Sequence, residues 1–187
     1  QAALSTEYPE DTPAEISISQ EEIEELTRRL ETVKRDNSGT FEIIDALSGT
    51  EEIRSTDYTV SSLNIWNGVA YVSDADAAIL DEALAEAGLA DASDAEKLAW
   101  ATEWIHNNLL YDGYHTGSYV YSCFEEAGGQ CNVYNGALCA LAAHLGYQVQ
   151  LVRGYRGSTG SQTAHWWGEL VTDGEPLVLE TGNTVDG

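Results

Sequence analysis

Basic residues are scarce in this chain. Its 187 residues include 8 Lys and Arg against 32 Asp and Glu, for a net charge of −24, and no lysine follows Lys97. Phosphate backbones are gripped through Lys and Arg, so this balance argues against nucleic acid as a partner. An anionic membrane surface is disfavoured for the same reason. No apolar run approaches the ~18 residues that a membrane-spanning helix requires. Cysteine is rare too. Three residues are too few for a disulfide-built domain, and an odd count leaves at least one thiol free or paired with another chain. Two of the three prolines fall within residues 1–18. Methionine is absent and the chain opens on Gln1, as expected of a processed or trimmed form.

What is present fits one sizeable domain with an extension. Residues 1–18 are acidic and aperiodic, and read as a tether. Residues 19–72 read as an α/β extension, and residues 73–187 as the main domain. Ser19 with Glu22 and Ser93 with Glu96 form capping-box patterns that open charged or amphipathic helices. A further helix is expected over 74–90. FEIID (41–45), IRSTDYTV (53–60) and NIWNGVAYV (64–72, with Asn67-Gly68 as its turn) have strand character. Residues 112–130 read as an aromatic, glycine-rich loop. The run 131–145 is an apolar helix stopped by Gly146. Beyond it, YQVQLVRGY, AHWWGELV and PLVLET are strands, the last two joined by an Asp173-Gly174 turn. Helices first, then a central helix, then antiparallel strands predict an α+β fold.

The segment GGQCNVYNGALCALAAHLGY places Cys131 at the first turn of the apolar helix. Unpaired backbone N–H groups and the helix dipole favour a thiolate there, and the same groups can stabilise an adjacent oxyanion. Gly128 and Gly129 permit tight backbone geometry in front of it. The plainer alternative, a small buried residue, fits Cys139, which lies mid-helix among Ala and Leu. Eight helical residues rise about 12 Å, which excludes a Cys131–Cys139 disulfide. Cys123 could reach either one.

A nucleophilic cysteine needs a base, oriented in turn by a third group. His106 lies within a helix and reads as structural, and His115 has no clear role. His144 ends the Cys131 helix about 20 Å away, too far to serve. His165, opening the strand HWWGEL, remains. With the hairpin centred on Asp173-Gly174, His165 pairs with Gly182, and Glu180 lies one diagonal step away on the same face, roughly 7–8 Å between backbones. A glutamate side chain spans that distance. Asn183 falls on the opposite face, so the register selects Glu180.

These motifs, in this order, resemble the transglutaminase-like superfamily of papain-fold cysteine enzymes. The resemblance rests on GQCNVY with Cys131 and Tyr134, VQLVRGY as a strand ending in Gly-Tyr, and HWWGEL with His165, Trp167 and Glu169. VLETGN carries Glu180 where the family has Asp, and EKLAWATEWIHNNLLYD resembles the helix that precedes the core. It covers roughly residues 93–183 and departs at Glu180 and at Trp166, which replaces a small residue. The implied fold is papain-like, with a catalytic helix packed on an antiparallel sheet. The implied chemistry is acyl transfer at an amide through Cys131, His165 and Glu180, with Gln130, Tyr134, Trp166 and Trp167 at the substrate. No calcium-loop pattern is evident, so neither metal nor cofactor is implied.

Water as acceptor makes the protein a peptidase or amidase, the expectation here. An amine acceptor makes it a crosslinking transamidase, and a third option is a peptide- or wall-binding module without chemistry. A metal site of Cys131, His165 and Glu180 lacks a fourth ligand or a Cys-x-x-Cys pair. The expected partner is a protein or peptide, cell-wall peptides included, met by a monomer tethered outside a bacterial cell.

Overall fold

The computed structural model describes residues 17–45, 58–59, 68–111, 117–156 and 163–181. Residues 1–16 of the tether expected over 1–18, Asn67 of the expected turn, most of the strand expected over 53–60, His115, Gly182, Asn183 and the glycine-serine loop 157–162 lie outside the described residues.

Among the described residues, five helices and eight strands follow one another as α1 (Gln20–Leu30), β1 (Thr40–Asp45), β2 (Tyr58–Thr59), β3 (Gly68–Tyr71), α2 (Asp74–Glu86), α3 (Asp94–Asn108), β4 (Leu110–Tyr111), α4 (Tyr119–Phe124), β5 (Gly128–Gly129), α5 (Cys131–His144), β6 (Val149–Arg156), β7 (Thr163–Leu170) and β8 (Leu177–Leu179). The local signals behave as the sequence requires. Ser19 and Ser93 each accept the backbone N–H three residues on, while Glu22 and Glu96 reach back to the cap residue's own N–H. At the far end of α5, Gly146 turns to φ +87°. Its N–H reaches Ala143 and that of Tyr147 reaches Ala142, a Schellman closure that satisfies two otherwise orphaned carbonyls.

The main sheet runs β3-β1-β6-β7-β8, with β2 pairing the end of β6. Its β6-β7-β8 meander is antiparallel, but β1 runs parallel to β6, from Phe41 against Val149 to Asp45 against Arg153. The sheet is therefore mixed, where the sequence led us to expect antiparallel pairing throughout. A strand from residues 40–45 thus enters the sheet beside β6, with β3 outside it.

Helix α5 packs on β1, β6, β7 and β8, with α3 and α4 also against it. Every residue from Val133 to Ala143 is buried, as expected of a helix apolar all round. Close approach to β7 is possible because position 168 is glycine: a Cβ there would lie 2.7 Å from the Cys139 sulfur. Three short elements were not expected, the β4–β5 pair and α4. Residues 119–124 form a short helix within the stretch read as loop. YVYSCF is rich in strand formers, so propensity argues against a helix. Tertiary context prevails: Ser118 caps the turn, and Val120 and Cys123 are buried against the core.

Candidate active site

Three elements bring the site together: the N-terminus of α5, the start of β7 and the residues after β8. Cys131 is the first residue of α5, and Gln130 is its extended N-cap with no capping side chain. The N–H groups of Val133 and Tyr134 both reach the Gln130 carbonyl, so within the first turn it is those of Cys131 and Asn132 that lack an intrahelical acceptor. Gly129 holds φ +149°, and a Cβ there would meet the Val133 side chain at 2.5 Å, so glycine is required. The Tyr134 hydroxyl donates to the Gly129 carbonyl, locking the β5–α5 junction. All three cysteines are free, and Cys131 alone retains solvent access. Burial pushes the thiols of Cys123 and Cys139 up, beyond the range in which they ionise in neutral solution.

The β7–β8 register runs from Leu170 against Leu177 to Gly168 against Leu179, the one fixed by a turn centred on Asp173 and Gly174. It delivers Glu180 to His165: Nε2 donates to Glu180 Oε2 at 2.6 Å. His165 also hydrogen-bonds to the Cys131 side chain. The ring is 8% exposed. Burial works against its charged form, but the bonds to Cys131 and Glu180 and the negative charge of both outweigh it, raising the imidazole from 6.5 to about 9. Cys131, His165 and Glu180 are thus assembled in one place, on elements brought together from across the fold.

The other expected site residues are placed differently. Tyr134 and Trp167 are fully buried and present no surface to a substrate. Trp167 stacks beside His165, with centroids 6.4 Å apart and planes at 17°, and its Nε1 donates to Glu169 at 3.0 Å. Both therefore back the site rather than line it. Trp166 is half-buried, with the Arg153 guanidinium 5.8 Å from its ring centroid. Gln130 is half-exposed beside Cys131. His144 pairs with Asp81 at 2.8 Å, at the opposite end of α5 from Cys131.

Two further residues, not among the expected site residues, adjoin the site. Tyr111 on β4 packs edge-on against Tyr134, centroids 6.0 Å apart, and burial, with the Cys131 charge, shifts its hydroxyl up. Asn135, one turn along α5 from Cys131, is fully buried and donates to the Trp166 carbonyl at 2.6 Å and to Glu180 Oε1 at 3.1 Å. It also accepts the Thr181 N–H at 3.3 Å. An amide on the buried stretch of an apolar helix signals that partners are needed, since an unsatisfied polar group is costly there, but not which partners. Among the described residues, no group of three or more His, Cys, Asp or Glu side chains is arranged to hold a metal ion.

No curated protein matches the chain. The family model of the transglutaminase-like superfamily matches residues 82–176, just over half of the chain. That span contains Cys131 and His165 and stops short of Glu180. With the mixed α/β architecture, it shows that the chain belongs to the transglutaminase-like superfamily.

Proposed function

We propose that this protein is a cysteine peptidase or amidase in which Cys131, His165 and Glu180 act as a catalytic triad. Cysteine-based acyl transfer is the chemistry that the superfamily supports. The observation that carries the finer reading is the His165 ring, held by Glu180 at 2.6 Å on Nε2 and bonded to the Cys131 side chain as well. With Nε2 committed to Glu180, Nδ1 is the nitrogen left to exchange a proton with the thiol.

The Cys131 sulfur attacks the amide carbonyl carbon, and first-turn N–H groups of α5 stabilise the resulting oxyanion. The C–N bond then breaks, His165 gives its proton to the departing amine, and a thioester remains on Cys131. Water, deprotonated by His165, attacks the thioester and releases a carboxylic acid and the thiol. An imidazole raised to about 9 is protonated at neutral pH and so suits the acid step. Glu180 fixes the ring's orientation and supports its charged form. We favour water over an amine as acceptor because, among the described residues, no feature is dedicated to a second protein substrate. The acidic N-terminus suggests a tether that holds the domain outside a bacterial cell, near peptide substrates. No helix among the described residues is long and apolar enough to cross a membrane.

The test is iodoacetamide labelling of each cysteine against pH, read by peptide mass spectrometry, in wild type and His165→Ala. Fast labelling of Cys131 that His165→Ala slows supports the triad. Labelling of Cys131 at the same rate in both proteins overturns it. Amide substrates, assayed with and without added primary amine, then separate hydrolysis from transamidation.

A further inference from the structure

We propose that Asn135 is a positioning residue that sets the Glu180 carboxylate toward His165. The inference rests on the triad reading above and extends it to a residue outside the triad. Asn135 lies four residues after Cys131, on the same face of α5. Its amide is fully committed. One Nδ2 hydrogen goes to the Trp166 carbonyl, the other to Glu180 Oε1, and Oδ1 takes the Thr181 N–H. Trp166 directly follows His165, and Thr181 directly follows Glu180. One side chain thus ties the helix bearing the cysteine to the two segments bearing its partners.

The chemistry calls for an amide. A backbone carbonyl and a carboxylate oxygen both need donors, while a backbone N–H needs an acceptor, and this fixes which way the Asn135 amide faces. Aspartate would lack the donors, and an aliphatic residue would lack all three groups. The need arises from Glu180 itself. A glutamate arm has one more rotatable bond than an aspartate, so its carboxylate is less well placed by its backbone. Binding Oε1 to Asn135 leaves Oε2 aimed at His165, 2.6 Å away. The backbone is held too, since the Thr181 carbonyl lies 3.1 Å from His106 Nδ1 on α3. Asn135 stands among buried apolar neighbours, where its amide survives only because each of its polar atoms is paired.

The experiment uses the full chain with Asn135→Ala and Asn135→Asp. It measures Cys131 alkylation by iodoacetamide against pH and the His165 Cε1–H titration by NMR, with near-UV circular dichroism to confirm folding. In Asn135→Ala, the His165 midpoint is expected to fall by about one pH unit or more, and alkylation at pH 7 to slow roughly tenfold. Asn135→Asp can donate to Glu180 only while protonated, so its alkylation profile should gain a limb absent from wild type, as two facing carboxylates share a proton. A residue that served only folding would lower yield or stability without moving either midpoint. A folded Asn135→Ala with the wild-type midpoint and alkylation rate overturns the proposal. Should that variant fail to fold, Asn135→Asp decides: a new limb supports positioning, and a profile parallel to wild type overturns it. If wild-type alkylation ignores His165→Ala, the triad falls and this inference with it; dependence on His165 but not on Asn135 removes this inference alone.

Discussion

Protonation of His165 should be a measurable part of this protein's stability. The ring rises from 6.5 to about 9 on folding, so the folded state holds its proton more tightly than the unfolded chain does. For a group raised on folding, the stabilisation is complete below the unfolded value, declines as pH climbs, and is gone above the folded value. The window is therefore pH 6.5 to about 9, and stability should fall across it. At about 1.4 kcal/mol per pH unit, the loss is on the order of 3–4 kcal/mol at most. For a chain of this length, 1 kcal/mol moves the midpoint of thermal unfolding by roughly 2–4 °C, so the total shift approaches roughly 10 °C. The assay is thermal unfolding by circular dichroism at half-unit pH steps, in wild type and in His165→Gln. The variant cannot titrate at this position, so the difference between the two curves isolates the imidazole from the other groups that change charge in the same range. That difference should shrink as pH rises. Curves that stay parallel from pH 6.5 to 9, or that diverge with rising pH, would refute the argument that Glu180 and Cys131 hold the charged ring.

Two further outcomes follow from the packing of α5. Gly168→Ala should destabilise the fold by about 1–3 kcal/mol, because the new Cβ meets the Cys139 sulfur at 2.7 Å and Leu179 Cβ at 3.1 Å. Adding Cys139→Ala should recover part of that loss in urea unfolding, and strict additivity of the two changes would show that the sulfur is not the obstacle. The thiols of Cys123 and Cys139, buried and shifted up, should stay unlabelled by iodoacetamide until the protein is denatured. Labelling of either at the Cys131 rate in native protein would contradict the burial described here.

The parts of the site that could be read from the sequence depend on short-range geometry. An Asp-Gly turn sets a hairpin register, and the register places Glu180 diagonally from His165 without further information. Gly146 stops a helix because it can take φ +87°, so the length of α5, and with it the distance from Cys131 to His144, was also accessible. Asn135 was not, since its three partners arrive from β7 and from beyond β8, and periodicity cannot say which strand will lie against a helix. The alternation of Phe41 and Ile43 marks a strand, yet nothing in it names β6 as a partner or gives the direction of pairing. Residues 119–124 resisted for the opposite reason. Their local preference was clear and was overruled by the core beneath them. Tyr134 and Trp167 show the limit of motif reasoning, which placed them near the cysteine and histidine but could not tell a wall from a surface.

The parallel pairing of β1 with β6 bears on how the chain is made. The two strands are separated by roughly 100 residues, and β1 leaves the ribosome first. Until β6 follows, β1 can pair only with β3, and its other edge waits open while the helices between are synthesised. A fragment restricted to the family-matched span, residues 82–176, would reverse that problem: β6 would emerge complete but with the backbone groups that face β1 left unpaired. Expression boundaries for this protein should therefore be drawn upstream of α1, so that the strand made first is present when its partner appears.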